Sequence, residues 1–269
     1  TEDAGSRFVV ERSTLKAEVV ADPARRTRIE IGDAKQDDFF PQFKSLHWCE
    51  GNDNEANLSV RLKEDDHEAD DIKVRNGRIE WRKGIKTARL YDLATDDEDG
   101  GFEFEVEFAE KPDSNVVEYT LQSKELDFFY QPPLTEKEIA EGAERPENVV
   151  GSYAVYHKTA RNNCVGGKHY RTGKAFHIYR PFAEDAKGNR VWCDLHIEGD
   201  LMTVTVPQDF LDAAVYPVRV DPTFGYTSLG ASSQTIAQRT GGNASLIRRG
   251  QAFSTMSEDG VLDSITTAV

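Results

Sequence analysis

Cysteine is scarce: three residues, Cys49, Cys164 and Cys193, in a chain of 269. An odd count in a chain too large to need staples argues against a disulfide framework and for folding in a reducing cytoplasm. Long apolar runs are missing too. No window approaches the ~18 uninterrupted apolar residues of a membrane helix, and the opening TEDAGSRFVV has neither the basic nor the apolar region of a secretion signal. Membrane insertion and export are therefore not expected. Positive charge is in deficit, with 33 Lys and Arg against 48 Asp and Glu and a net charge of −15. Such a field repels phosphate backbones, so a direct nucleic-acid partner is not expected. The basic runs Ala24–Arg28 and Arg82–Arg89 sit among acidic neighbours and read as solvated strand or turn faces.

Catalytic signatures are also lacking. Gly225 to Gly230 has the wrong spacing for a nucleophile elbow, and no phosphate loop or dinucleotide fingerprint occurs. No two carboxylates single themselves out for sugar hydrolysis. His47, Cys49, Cys193 and His196 have the composition of a zinc site, but residues three apart on a strand face opposite sides, so Cys193 and His196 do not converge. Asp97 and Asp99 in TDDEDGG could offer oxygens to calcium, yet Val106 stands where an EF-hand loop needs its last Glu, and a solvated hairpin loop is the better reading. No metal, no cofactor and no enzymatic activity are expected.

What the sequence does contain is strand. SRFVVERS, LKAEVVA, RTRIEIG, NLSVRLK, FEFEVEF, VVEYTLQ, SYAVYHK and LMTVTVP alternate apolar and polar residues with β-branched or aromatic enrichment. The expected fold is mostly β, an antiparallel β-sandwich with one or two short helices. In FEFEVEF, Phe102, Phe104, Val106 and Phe108 should face the core, and Glu103, Glu105 and Glu107 the water. Asn76-Gly77 predicts a two-residue hairpin turn, Ala186 to Asn189 a second hairpin, and Gly199-Asp200 a third. Thr135 and Glu138 have capping-box spacing for a helix of about two turns, with Ile139 as its apolar contact. Pro207 suits the first helical position of a second short turn, pinned by Phe210 and Leu211.

The composition suggests an N-terminal β domain over 1–100, a β-sandwich domain over 101–224, a linker over 225–250 and the first strands of another β module over 251–269. That last module is expected to be incomplete within these residues or to be completed by other copies or other parts of an assembly. In VYPVRVDPTFGYTS, Pro217 removes a ladder donor and Pro222 should stop the strand, so Val218 to Val220 reads as an edge or terminal strand closing the sandwich. The candidate binding residues are Tyr153 and His157 on one strand face and His177 and Tyr179 on another. With Arg180 nearby they could stack on a sugar ring or pack a sheet against a neighbour.

QPPLTEKEIAEGAERPENVVGSYAVYHKT, TGKAFHIYRP and VPQDFLDAAVYPVRVDPTFGYTS resemble segments of a set of uncharacterised proteins of tailed bacteriophages and prophages, over roughly Phe102 to Ser228. In such proteins this region typically precedes a lectin-like β-sandwich, and QAFSTMSEDGVLDSITTAV is similar to the opening strands of one. The resemblance implies a virion structural protein, folded in the host cytoplasm and assembled as a capsid decoration, a head or neck fibre, or the base of a tail fibre or spike. Other virion proteins, copies of itself and possible host surface glycans are the partners it implies. The alternative is a carbohydrate-binding module or an accessory domain of a surface polysaccharide depolymerase.

Overall fold

In the computed structural model, the described residues are 8–10, 17–19, 27–31, 41–45, 56–63, 73–75, 78–93, 101–163 and 170–225. They form nineteen strands and two short helices. The first eight strands are β1 (Phe8–Val10), β2 (Ala17–Val19), β3 (Thr27–Ile31), β4 (Pro41–Ser45), β5 (Ala56–Leu62), β6 (Lys73–Arg75), β7 (Arg78–Lys83) and β8 (Lys86–Leu93). Next come β9 (Gly101–Phe108), β10 (Val116–Ser123), β11 (Leu126–Gln131), α1 (Glu136–Ala140), β12 (Ser152–Asn163) and β13 (Tyr170–Ile178). The series ends with β14 (Phe182–Glu184), β15 (Arg190–Trp192), β16 (Asp194–Glu198), β17 (Leu201–Thr205), α2 (Gln208–Ala213), β18 (Val218–Asp221) and β19 (Thr223–Gly225).

These strands make two antiparallel sheets packed face to face without closing, a sandwich-like, mostly β fold as the alternation predicts. The smaller sheet runs β1-β2-β3-β4-β5-β10-β17-β16, and the larger contains β6 to β9, β11 to β15, β18 and β19. Pairing crosses residue 100 in both sheets: β5 joins β10, and β8 joins β9 along its whole length. Leu58, Val60 and Tyr119 from the smaller sheet and Ile79, Phe104, Val106 and Phe224 from the larger are almost fully buried in one apolar cluster. A ladder of edge-on rings, Trp81 to Phe104 at 5.7 Å and Phe104 to Tyr119 at 5.2 Å, ties the two sheets together.

The local turn chemistry follows the sequence. Arg75 pairs with Arg78 at the end of the β6–β7 hairpin, while Asn76 and Gly77 themselves lie outside the described residues. Glu198 pairs with Leu201 across a turn whose first central residue, Gly199, has φ +62°, a conformation open to glycine. Between β14 and β15, Asp185 accepts from the backbone N–H of Lys187 and Asn189, both at 2.9 Å, from the Asn189 side chain at 3.0 Å and from the Val215 N–H at 3.2 Å. These bonds, the Asn189 side chain foremost, hold its carboxyl down to about 2.

The capping box of α1 forms as spaced, with Thr135 Oγ1 accepting from the Glu138 N–H at 3.3 Å and the Glu138 carboxylate accepting from the Thr135 N–H at 2.7 Å. Ile139, expected to be an apolar contact, is instead 59% exposed, and α1 buries no residue. The helix is too short to present one face to the sheet. In α2, Leu211 is buried and Phe210 packs against the core, as expected, but Pro207 takes the N-cap and not the first helical position.

One further expectation is overturned. Strand β18 is interior, not an edge, because it pairs with β9 on one side and β14 on the other. Pro222 ends β18 at Asp221 as expected, although β19 resumes beside β9 in the same register, with Val220 opposite Val106 and Thr223 opposite Glu103. Pro222 loses only a donor, and its carbonyl still accepts from the Phe104 N–H at 3.2 Å. The calls for 225–250 and 251–269 as linker and module start lie, beyond Gly225, outside the described residues, as do Asp97, Asp99, His47, Cys49 and Cys164.

Candidate functional site

The four candidate binding residues divide between the two faces of the larger sheet. Tyr153 pairs with Ile178 and His157 with Leu126, and this inner face looks toward the core. Tyr153 is buried, stacks edge-on to Tyr130 at 5.4 Å, and its hydroxyl accepts from the Ile197 N–H of the smaller sheet at 3.0 Å. His157 is also buried. His177 pairs with Ala154 and Gly225 and takes the opposite, outward face, where its ring lies 4.6 Å from that of Tyr179. The structure thus brings His177 and Tyr179 together and keeps Tyr153 and His157 on the other side of the sheet.

His177 has a partner that the sequence did not suggest: its Nε2 lies 2.6 Å from Ser152 Oγ. A serine next to a histidine invites a nucleophile–base reading, but the protons argue otherwise. Ser152 Oγ also lies 2.5 Å from the Val149 carbonyl, which can only accept, so the single hydroxyl proton goes there. His177 Nε2–H then donates to Ser152, and neither group is free to activate the other. Burial, and secondarily Lys174, pushes the imidazole down to about 3, which keeps it neutral. The pair pins the turn before β12 to the sheet.

The densest polar constellation surrounds β9 and was missed in the sequence. Register places Arg89 and Asp221 on either side of Glu105, Tyr91 and Thr223 on either side of Glu103, and Thr87 and Arg219 on either side of Glu107. The expectation that these glutamates face water fails most clearly at Glu105, which is 0% exposed. Two arginines from the neighbouring strands lie across it. Arg89 donates to Glu105 at 2.5 Å, to Glu107 at 3.0 Å through each of Nη1 and Nη2, and through Nε to Glu80 at 2.8 Å. Arg219 reaches Glu105 at 3.5 Å and also bonds Glu184, which in turn holds Arg190. The Tyr91 hydroxyl donates to the second oxygen of Glu105 at 3.0 Å, with the Arg78 guanidinium 4.2 Å over its ring.

Burial opposes the charge of Arg89, but the bonds from Glu107, Glu80 and Glu105 outweigh it and raise its pKa. Burial likewise drives the Tyr91 hydroxyl up, helped by Asp221 and Glu103, so it stays a donor. Arg89, read from its basic run as a solvated position, has left the solvent. A sequence signal did exist: Arg and Glu at alternate positions of adjacent hairpin strands are the pattern of a cross-strand ion-pair ladder.

At the far edge of this face, Phe182 and Trp192 pack edge-on at 6.3 Å, with Arg190 4.7 Å from the Phe182 centroid and Arg180 5.4 Å from that of Trp192. Cys193 is fully buried, and its thiol is pushed up to about 12 by burial and by Asp194, which makes it unreactive. His196 points to solvent. Among the described residues no group of three His, Cys, Asp or Glu is placed to hold a metal ion. Strand β11 ends the larger sheet and, among the described residues, has one partner, β12; on it Phe129 is 37% and Tyr130 50% exposed. No family model, no curated protein and no solved structure matches the chain.

Proposed function

We propose that the protein is a non-enzymatic structural component of a bacteriophage virion, a β module of the capsid, neck or tail that presents a binding module at the particle surface. The observation that carries this reading is the edge strand β11, whose exposed Phe129 and Tyr130 lie beside an unpaired backbone ladder among the described residues. Such an edge is a template for a neighbouring chain, and natural proteins blunt it unless it is used. The motifs that resemble phage proteins include β12, β18 and β19, which are scaffold strands of the same sheet. The reactive side chains near them, Ser152, His177 and Cys193, are spent on packing and internal hydrogen bonds.

A second reading, a carbohydrate-binding module, draws support from the Tyr179, Arg180, Phe182 and Trp192 surface, where half-buried rings and guanidinium groups adjoin. An antibody to the chain, applied to DNA-containing particles purified from the source culture, separates the two. Immunogold label at a fixed place on head, neck or tail supports the virion role. Protein found free in the lysate and absent from particles overturns it, and glycan titration of Trp192 fluorescence, with Tyr179→Ala as control, then decides the binding reading.

A further inference from the structure

Strand β11 leaves one side of its backbone open in a defined pattern. Toward β12 it presents the carbonyls of Glu125 and Gln131, which accept from the Lys158 and Gly151 N–H groups at 3.0 and 2.7 Å. Backbone direction alternates along a strand, so Leu126, Phe128 and Tyr130 aim their N–H and C=O groups away from β12, where no strand pairs with them among the described residues. The open run is short. Pro132 has no N–H and its carbonyl accepts from Arg145, while Lys124 and Glu125 lie in the turn from β10. Three residues thus offer six outward groups. Apolar surface gathers here as well: of the four exposed large apolar side chains among the described residues, Phe129 and Tyr130 stand on this strand and Ile139 follows on α1.

We propose that β11 pairs antiparallel with β11 of a second copy of this chain, with the two-fold axis at Phe128. The inference rests on the virion reading of this edge and names the edge's partner. A two-fold axis across a sheet edge sets the paired strands antiparallel, and the six groups then choose the register. With Phe128 opposite Phe128 of the second copy, Leu126 meets Tyr130 and all six groups are bonded. The neighbouring registers are worse. An axis at Asp127 sets two like charges directly opposite, and an axis at Phe129 brings Pro132, which cannot donate, opposite Leu126. The register centred on Phe128 instead places Asp127 opposite Phe129, and the exposed Lys124 opposite Pro132, where the other copy runs into the first-turn acids Glu136 and Glu138 of α1. Each copy's net charge of −15 opposes the approach, so added salt tightens the pair.

Sedimentation equilibrium of the purified full chain tests the pairing, and substitutions at the exposed Phe129 test its register. The wild type should be a dimer that tightens with salt. Phe129→Lys sets an opposite charge across from Asp127 and should keep the dimer, whereas Phe129→Asp sets a like charge there, twice per dimer, and should raise its Kd roughly 10-fold. A monomeric wild type overturns the proposal whether or not the variants fold. A dimer on which the two variants act alike overturns it too, since Phe129 then faces something other than Asp127. Immunogold labelling of particles judges the virion reading separately. Labelled particles with a monomeric chain would leave that reading standing and give β11 to a different virion protein; a dimer absent from particles would keep the pairing and remove the virion setting.

Discussion

Around β9 the outward face of the larger sheet seats a buried carboxylate among guanidinium groups, whereas around β12 and β13 the same face holds a buried imidazole in its neutral form. Glu105 keeps its carboxylate at zero exposure by facing Arg89, Arg219 and Tyr91. His177, almost as buried, has given up its proton and bonds Ser152 as a neutral ring. The difference follows from what each site has at hand. Register supplies Glu105 with guanidinium groups from both neighbouring strands, while His177 faces Ala154 and Gly225, and the cation near it, Lys174, repels its charged form.

The comparison breaks most severely at Arg89. Arg89→Met leaves Glu105 buried without its closest partner, and a loss of about 3–5 kcal/mol is expected in urea titration. Adding Glu105→Gln should recover part of it, because the uncompensated charge goes with the substitution. If Arg89→Met alone costs no more than an exposed ion pair, the network is ornamental and the contrast collapses.

The neutral region should show itself in acid. His177 is depressed to about 3 when folded, against about 6.5 unfolded, so the unfolded chain takes up the proton first as pH falls. Stability contributed by the neutral ring is complete above about pH 6.5 and declines toward pH 3 by up to about 1.4 kcal/mol per pH unit. His177→Gln should flatten that slope while leaving alkaline behaviour unchanged. An unaltered acid slope would show that the ring is not the group being titrated.

The smallest effect is expected outside both regions. Thr135→Ala removes the cap of α1, a helix that buries nothing, and should cost less than ~1 kcal/mol in global unfolding. Local exchange of the α1 amides should nonetheless quicken. A larger global loss would mean that α1 supports the sheet in a way its exposed Ile139 does not suggest.

The sequence by itself determined the eight strands read from their alternation, the hairpins at Ala186 to Asn189 and Gly199-Asp200, both helices and the capping box. These are local: side-chain alternation of period two and the conformational tastes of Gly, Asn and Pro act over a few residues. The candidate site was only half legible. His177 and Tyr179 meet as neighbours on one face, but Ser152, 25 residues away, could not be read as a partner. Only the tertiary structure decided that FEFEVEF has no wet face, that β18 is interior, and that Asp221 comes to lie between strands β9 and β14. Those outcomes depend on which distant strand pairs with which and in what register. One glutamate looks like the next in sequence until an arginine from a neighbouring strand arrives beside it.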